Sequence, residues 1–184
     1  MNKYKYILPI GSTNYVDGCG CLIGNLFITA GHIISMAEKP FILLQGEKIY
    51  LENPLYFEVN NKDYTRYDLA IFPFPSVNSE LSLFEGEIKQ GMRLSSVSFK
   101  EEMCGTVLFE CNAIVDKFSL GNYFGAITDK NLKEGSSGSP VLVGNEVAGI
   151  LIYGNNDGFD NPCDKNFPVN FCCFLSSKSI KKVI

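Results

Sequence analysis

Residues 19–30, CGCLIGNLFITA, contain two short apolar segments joined by a Gly-Asn pair. Neither 19–23 nor 26–30 is long enough for a typical helix, and the second segment carries Phe, Ile and Thr, which favour strands. Gly24 and Asn25 both tolerate the positive φ angle of a two-residue turn. This stretch therefore predicts a β-hairpin.

The same pattern, a short apolar run closed by a turn residue, recurs along the chain. A second hairpin is predicted over 139–153, where a Gly-Asn pair again separates two apolar runs. Runs of this kind predict strands near 7–10, 19–23, 26–30, 40–45, 47–52, 55–60, 69–74, 92–98, 105–115, 122–128, 139–143, 146–153 and 169–175. About a dozen short strands at such spacing are typical of an all-β sandwich or barrel.

A polar, strand-poor stretch near the middle of the chain divides these strands into two groups of about six, which fits two barrels. We therefore predict an all-β fold of two packed six-stranded antiparallel β-barrels in one domain of 184 residues. The N-terminal barrel is expected over about 1–78, a linker over about 79–91 and the C-terminal barrel over about 92–175. The last segment, SSKSIKKVI, predicts a short terminal helix over about 176–184, capped by one of its leading serines.

The composition argues against several classes of function. The chain has seven Cys, one His and no Trp. Zinc-finger and metalloprotease sites usually need two or more His, or paired C-x-x-C spacings, so we predict no metal or other cofactor. The net charge is -4 and the basic residues are scattered, so a nucleic-acid partner is not expected. Hydrophobic residues make up 46% and charged residues 20%, as in ordinary globular domains.

The cysteines and the N-terminal segment indicate the cellular compartment in which the protein is expected. An odd number of cysteines without a secretion signal is typical of reduced thiols rather than a disulfide framework. The first residues lack an apolar run of signal-peptide length, and no stretch approaches the roughly 20 apolar residues of a membrane span. We therefore expect a cytoplasmic protein without a membrane partner, whose cysteines are small buried hydrophobes. The alternatives are a structural metal on Cys19, Cys21 and two C-terminal cysteines, or disulfide or redox chemistry.

Two segments place a polar side chain beside a predicted strand. FITAGHII (27–34) leads from a strand to His32, the one histidine of the chain, and YDLAIFPF (67–74) begins an apolar strand with Asp68. A buried carboxylate at a strand end can orient an imidazole and fix its tautomer. Taken alone, a single His is more often a surface or core residue, and Asp before a strand is commonly a turn former. Asp63, in a polar turn, is the competing carboxylate.

Two further segments could complete a catalytic site. In KEGSSGSPVLV (133–143), glycines stand two positions before and one position after Ser137. Such glycines let backbone N–H groups converge beside a side-chain nucleophile, although Gly/Ser turns before strands are also ordinary. GILIYGNN (149–156) is an apolar strand that ends at Gly154, and its edge could pair with an extended peptide.

Together these segments resemble the signature motifs of chymotrypsin-like (trypsin-like) serine proteases. TAGH (29–32) is similar to their Thr-Ala-x-His motif, DLAI (68–71) to their Asp-Ile/Leu-Ala strand, and GSSGSP (135–140) to their Gly-Asp/Asn-Ser-Gly-Gly/Ser-Pro motif. The motifs occur in the family's order, and the resemblance covers essentially the whole chain. It implies the family's two-barrel fold. It also implies a serine endopeptidase that hydrolyses peptide bonds through a Ser-His-Asp triad and an acyl-enzyme intermediate.

The resemblance implies a catalytic role for each matching residue. Ser137 would be the nucleophile, His32 the general base and Asp68 the carboxylate that orients the imidazole. The backbone N–H groups of Gly135 and Ser137 would form the oxyanion hole, in which one donor is typically worth about 3 kcal/mol of barrier.

The resemblance also implies how a substrate would bind. Ile152, Tyr153 and Gly154 would pair with the substrate backbone, and Gly154 would leave the mouth of the primary pocket open. Asn131 would lie at the base of that pocket, where a neutral side chain argues against a requirement for Arg or Lys. Ser136 stands where members activated by a cleaved N-terminus carry Asp, so we expect no such activation here.

The expected partners are therefore protein or peptide substrates. Because no activation switch is expected, we also expect a restraint such as narrow specificity, a regulatory partner protein, or a groove that becomes ordered only when substrate binds. The alternative is a catalytically silent protein of this fold that binds peptides or a partner protein in the same groove. Silent members commonly lose a triad residue, whereas all three are present here.

Overall fold

Two β-sheets, one in each half of the chain, make up most of the structure. The computed structural model describes residues 3–12, 16–61, 63–102, 105–132, 135–154 and 170–184. In this part of the chain there are fourteen strands, two short α-helices and one 3-10 turn at Lys3–Tyr6. The predicted all-β fold class is confirmed.

The first sheet is an open half-barrel. Its strands are β1 (Ile7–Gly11), β2 (Val16–Ile23), β3 (Leu26–Thr29), β4 (Phe41–Leu44), β5 (Glu47–Tyr50), β6 (Tyr56–Glu58) and β7 (Leu69–Pro73), with helix α1 (Gly31–Met36) after β3. Their order in the sheet is β5-β4-β1-β2-β3-β7-β6. The prediction of a closed six-stranded barrel is thus wrong in detail for this half. The two edge strands are short and contain no fully buried residue, so pairing them would bury little apolar surface.

The second sheet closes on itself. Its strands are β8 (Ser82–Leu83), β9 (Arg93–Glu102), β10 (Gly105–Leu120), β11 (Tyr123–Thr128), β12 (Pro140–Val143), β13 (Glu146–Gly154) and β14 (Phe171–Ser176). The order is β12-β9-β10-β11-β14-β13-β8, and pairing of β12 with β13 closes a six-stranded barrel, as predicted. The two-residue strand β8 lies within the predicted linker and pairs in parallel with β13.

Both predicted hairpins are present. Ile23 pairs with Leu26 across the first turn, in which Gly24 has a φ angle of 56°. β12 and β13 pair in the same way around Gly144, whose φ angle is 61°. These positive angles are readily adopted by glycine and explain why the chain turns at these points.

The chain ends in helix α2 (Ser177–Ile180), which confirms the predicted short C-terminal helix. Ser176 is its N-cap, because its side chain accepts a hydrogen bond of 3.2 Å from the N–H of Ser179. Ile180 is fully buried and joins the main hydrophobic cluster. In the described residues, neither helix has the length and apolar character needed to cross a membrane.

The two sheets share a hydrophobic core. Phe27 and Phe72 of the first sheet, and Tyr123 of the second, are essentially inaccessible to solvent and belong to one continuous cluster. The cluster also includes side chains of β9, β12, β13 and β14. The two halves therefore pack directly against each other, and residues from both meet at their junction.

The cysteines of the described residues are buried as free thiols: Cys19, Cys21, Cys111, Cys172 and Cys173. Burial raises the pKa of Cys19 to about 12, so this thiol stays protonated at neutral pH. Within the described ranges, no three His, Cys, Asp or Glu side chains are grouped so that they could hold a metal ion. The metal alternative for Cys19 and Cys21 therefore has no complete ligand set there.

Candidate active site

His32 and Asp68 form a polar pair joined by two hydrogen bonds. His32 lies in the first turn of α1, and its Nδ1 is 2.8 Å from Asp68 Oδ2. Its backbone N–H donates a 2.7 Å hydrogen bond to Asp68 Oδ1. Asp68 is 3% exposed. Because the carboxylate accepts at both oxygens, the imidazole proton lies on Nδ1, which leaves Nε2 as the basic nitrogen.

Strand register explains how these two residues meet. β3 pairs with β7, and Thr29 lies opposite Ala70, so the end of β3 and the start of β7 adjoin. Gly31, the first residue of α1, lies two positions after the end of β3. A Cβ atom there would overlap Glu58 O and lie 3.0 Å from Asp68 Oδ1, so only glycine lets the chain pass this close to the carboxylate.

Hydrogen bonds fix the segment that precedes Asp68. Glu58 accepts from the Tyr56 hydroxyl at 2.8 Å and from the Tyr67 N–H at 2.8 Å. It also pairs with Arg66 at 3.0 Å. Partial burial raises the pKa of Glu58, but these hydrogen bonds outweigh it and hold the pKa below its usual value. The segment is therefore anchored on a carboxylate that stays ionised.

The competing carboxylate has a different environment. Asp63 is exposed and accepts hydrogen bonds from the Thr65 N–H at 3.1 Å and the Thr65 hydroxyl at 2.6 Å. These bonds lower its pKa and make it part of a surface turn. The carboxylate that contacts His32 is Asp68.

The turn that carries Ser137 is held between the two halves. Ser137 O accepts a 2.8 Å hydrogen bond from the N–H of Cys19 on β2, and the Gly138 N–H donates to Leu151 O on β13 at 2.7 Å. Gly138 has a φ angle of 80°, and a Cβ atom there would overlap Cys19 O and the Thr29 hydroxyl. The turn is thus packed so closely against β2 and β3 that it needs glycine after Ser137.

Ser136, the residue before Ser137, is held in place by contacts between uncharged polar groups. Ser136 is 2% exposed, and its hydroxyl oxygen lies 3.2 Å from that of Ser98 on β9. Ser139 donates its N–H to Ser136 O at 3.2 Å. A pair of buried hydroxyls therefore fixes the start of the turn from within the second barrel.

The His-Asp pair lines a cavity, and the Ser137 hydroxyl bonds to the carbonyl of Ile152, another residue of the cavity lining. The cavity has a volume of about 380 Å³ and is lined by His32 and Asp68 from the first half and by Ile152 and Tyr153 from the second. The Ser137 hydroxyl donates a 3.1 Å hydrogen bond to Ile152 O, and not to the His32 ring. A rotation about the Ser137 χ1 angle would redirect the hydroxyl.

The other predicted site residues differ in their surroundings, and of these only Ile152 and Tyr153 line the cavity. Within the described residues, no hydrogen bond from the backbone N–H groups of Gly135 and Ser137 is found. Tyr153 and Gly154 pair with β14 along one edge of β13. Asn131 is exposed. Residues 133–134, which precede Gly135, and residues 155–169, which follow Gly154, lie outside the described residues.

Three residues of the site were not found from sequence. Tyr64 lines the cavity, the Ser98 hydroxyl contacts that of Ser136, and the Tyr123 hydroxyl accepts a hydrogen bond from the Asp68 N–H. The one sequence signal was that Ser98 and Tyr123 lie in segments predicted as strands. That signal predicts that a side chain faces the core but does not identify its partner.

Several solved structures are similar to this fold. The Rv3671c protease from M. tuberculosis in its active form has a TM-score of 0.71 and 14% identity, over 97% of this chain and 78% of that chain. The scabies mite inactivated protease paralogue S-I1 has a TM-score of 0.72 and 14% identity, over 98% of this chain and 92% of that chain. No family model and no curated protein sequence matches the chain. The strand order and these structural neighbours together show that the chain has the chymotrypsin-like fold.

Proposed function

We propose that the protein is a serine endopeptidase in which Ser137, His32 and Asp68 form the catalytic triad. The observation that carries the proposal is the buried Asp68 carboxylate, which binds both the backbone and the ring of His32 at a cavity also lined by Ile152, whose carbonyl accepts the Ser137 hydroxyl. This arrangement leaves the imidazole with the tautomer that a general base requires. The active Rv3671c protease among the structural neighbours supports the same reaction class.

The reaction would begin when the Ser137 hydroxyl leaves Ile152 O and donates to His32 Nε2. His32 takes the proton while Ser137 Oγ bonds to the carbonyl carbon of the scissile peptide. The carbonyl oxygen becomes an oxyanion, and the N–H groups of Gly135 and Ser137 stabilise it. His32 then gives its proton to the leaving amine, and the C–N bond breaks. A water molecule, deprotonated by His32, hydrolyses the acyl-enzyme and restores Ser137.

The same hydroxyl movement would prepare the groove for its substrate. When Ser137 turns towards His32, Ile152 O loses its hydrogen-bond donor. A substrate backbone N–H could then bind this carbonyl, as in the addition of a strand to a sheet edge. An extended peptide segment is therefore the substrate class that the site favours.

Cleavage of a peptide library tests the proposal. A library prepared from a proteome is incubated with the wild-type protein, and new termini are identified by mass spectrometry. We expect a defined set of cleavages that disappears with Ser137→Ala. Cleavage that persists in Ser137→Ala, or none by the wild type, would count against the proposal.

The cavity predicts a preference for an apolar side chain near the cleaved bond. Tyr64 and Tyr153 have ring centroids 6.3 Å apart and line the cavity with Met36 and Val59. Tyr64→Ala should lower kcat/KM by about tenfold for peptides that place Leu or Phe there, because apolar contacts of this size contribute about 1–3 kcal/mol. The substitution should change kcat/KM little for peptides that carry Gly at that position. Steady-state kinetics on matched peptide pairs measure the difference.

Tyr50→Ala is the matched control, because Tyr50 is also aromatic but lies on the edge strand β5 and is 49% exposed. Tyr50→Ala should leave kcat/KM unchanged for both the Leu or Phe peptide and the Gly peptide. Equal losses on the Leu and Gly peptides with Tyr64→Ala would show that Tyr64 supports the structure rather than the specificity.

Two observations favour a second candidate, a silent protein that binds peptides in the same groove. The Ser137 hydroxyl is bonded to Ile152 O, and the structural neighbours include inactivated paralogues. Such a protein would retain peptides from the library without producing new termini. Capture by immobilised Ser137→Ala and wild-type protein, run beside the cleavage assay, separates the two functions.

A further inference from the structure

We infer that Tyr123 is a positioning residue, which holds Asp68 in place from the opposite half of the molecule. The inference rests on the proposed function, because it concerns the geometry of the same site. Tyr123 begins β11 of the closed barrel, whereas Asp68 immediately precedes β7 of the half-barrel. Tyr123 is inaccessible to solvent and does not line the cavity, so its role would be exerted through Asp68.

The Tyr123 hydroxyl forms three hydrogen bonds with the half-barrel. It accepts from the Asp68 N–H at 2.9 Å and from Asn60 Nδ2 at 3.2 Å, and it donates to Arg66 O at 2.8 Å. One donor and two acceptor sites are all that a hydroxyl offers, so this group is fully used. Burial raises the pKa of Tyr123, so the hydroxyl keeps its proton and continues to donate.

The hairpin tip before Tyr123 docks on the same segment. A Cβ atom at Gly121 would lie 2.7 Å from Tyr64 O, and Asn122 Nδ2 donates to Thr65 O at 3.2 Å. The rings of Tyr64 and Tyr123 meet edge to face, with centroids 5.8 Å apart. Consecutive residues of one hairpin thus bind consecutive residues of the segment that leads to Asp68.

This contact has a direct effect on the His-Asp pair. Both Asp68 carboxylate oxygens bind His32, and the Asp68 N–H is buried. Without the hydroxyl this N–H would lack its acceptor, and such a group costs about 1–3 kcal/mol unless the backbone moves to find another. Movement of the Asp68 backbone would shift the carboxylate relative to the imidazole. Tyr123 therefore aligns the half of the site that carries the base with the barrel that carries Ser137.

The test uses Tyr123→Phe and two independent measurements. Because His32 is the one histidine of the chain, 15N labelling of histidine gives one set of imidazole signals by NMR. We expect the wild type to show the tautomer protonated at Nδ1, and Tyr123→Phe to shift the neutral ring towards protonation at Nε2. We also expect kcat to fall by about 10- to 100-fold with KM changed less than about twofold, as for a misplaced catalytic group.

Tyr4→Phe is the matched control. The Tyr4 hydroxyl also joins the two halves, through Glu110 Oε2 at 3.3 Å, but does so at an exposed position away from Asp68. It should leave both the tautomer and kcat unchanged. Asn60→Ala removes one donor to the Tyr123 hydroxyl and keeps the ring in the core, so it should produce a smaller change in the same direction if Tyr123→Phe does not fold.

The outcomes separate this inference from the proposed function. A folded Tyr123→Phe protein with the wild-type tautomer and wild-type kcat overturns the positioning role. If Tyr123→Phe does not fold, an unchanged tautomer in Asn60→Ala overturns it as well. If the wild type cleaves no peptide but its His32 tautomer changes in Tyr123→Phe, the positioning role stands and the proposed protease function fails.

Discussion

His32→Ala is expected to lower kcat by about four to six orders of magnitude, because the members of a triad act as a unit. No other imidazole exists in the chain to replace it. Asp68→Asn should cost about four orders of magnitude. Its amide would donate a hydrogen bond to Nδ1 and so favour the tautomer whose Nε2 is already protonated. Single-turnover kinetics on a cleaved library peptide measure both effects.

Asp63→Asn is the matched control for Asp68→Asn. Asp63 is also an Asp of the first half, but it lies in an exposed turn and bonds to Thr65. We expect wild-type turnover from this variant. Loss of turnover in Asp63→Asn together with normal turnover in Asp68→Asn would contradict the assignment of the orienting carboxylate.

Gly138→Ala is expected to lower the free energy of unfolding by about 3 to 5 kcal/mol, within the range of the most damaging single substitutions. Two effects combine at this position. The φ angle of 80° is unfavourable for alanine, and the added Cβ would overlap Cys19 O and the Thr29 hydroxyl. Relief of the overlap would push the Ser137 turn away from β2, so activity should fall as well. Urea unfolding followed by far-UV circular dichroism measures the stability.

Gly144→Ala separates the two effects. Gly144 also has a positive φ angle, 61°, but no atom lies within 4 Å of a Cβ built there. This variant should lose only the conformational part, about 1–2 kcal/mol. If Gly138→Ala were no more destabilising than Gly144→Ala, close packing of the Ser137 turn against β2 and β3 would be refuted.

Structure formed by residues close together in the chain was predicted best from the sequence. A Gly-Asn pair between two apolar runs has few conformations that keep both runs in strands, and both hairpins predicted in this way are present. Closure of the first sheet was mispredicted. A count of apolar runs treats every run alike, but β5 and β6 are short and contain no fully buried residue, and such edges gain little from pairing.

Contacts between distant segments could not be read from the sequence. Tyr123 and Asp68 are 55 positions apart, and Ser98 and Ser136 are 38 apart. Alternation predicts which face of a strand a side chain occupies but not which residue of another strand it meets. The three sequence motifs identified candidates for the nucleophile, base and carboxylate. The supporting hydrogen bonds, and the bond from Ser137 to Ile152 O, emerged only from the folded chain.

Labelling with a fluorophosphonate probe tests the central claim most directly, because such probes bond to a serine whose hydroxyl is activated by a base. We predict that the wild type gains one probe mass, that peptide sequencing by mass spectrometry places it on Ser137, and that His32→Ala abolishes the reaction. Ser35, which lines the cavity together with His32, is the internal control and should stay unmodified. Absence of labelling on Ser137, under conditions in which a control protease reacts completely, would contradict the account.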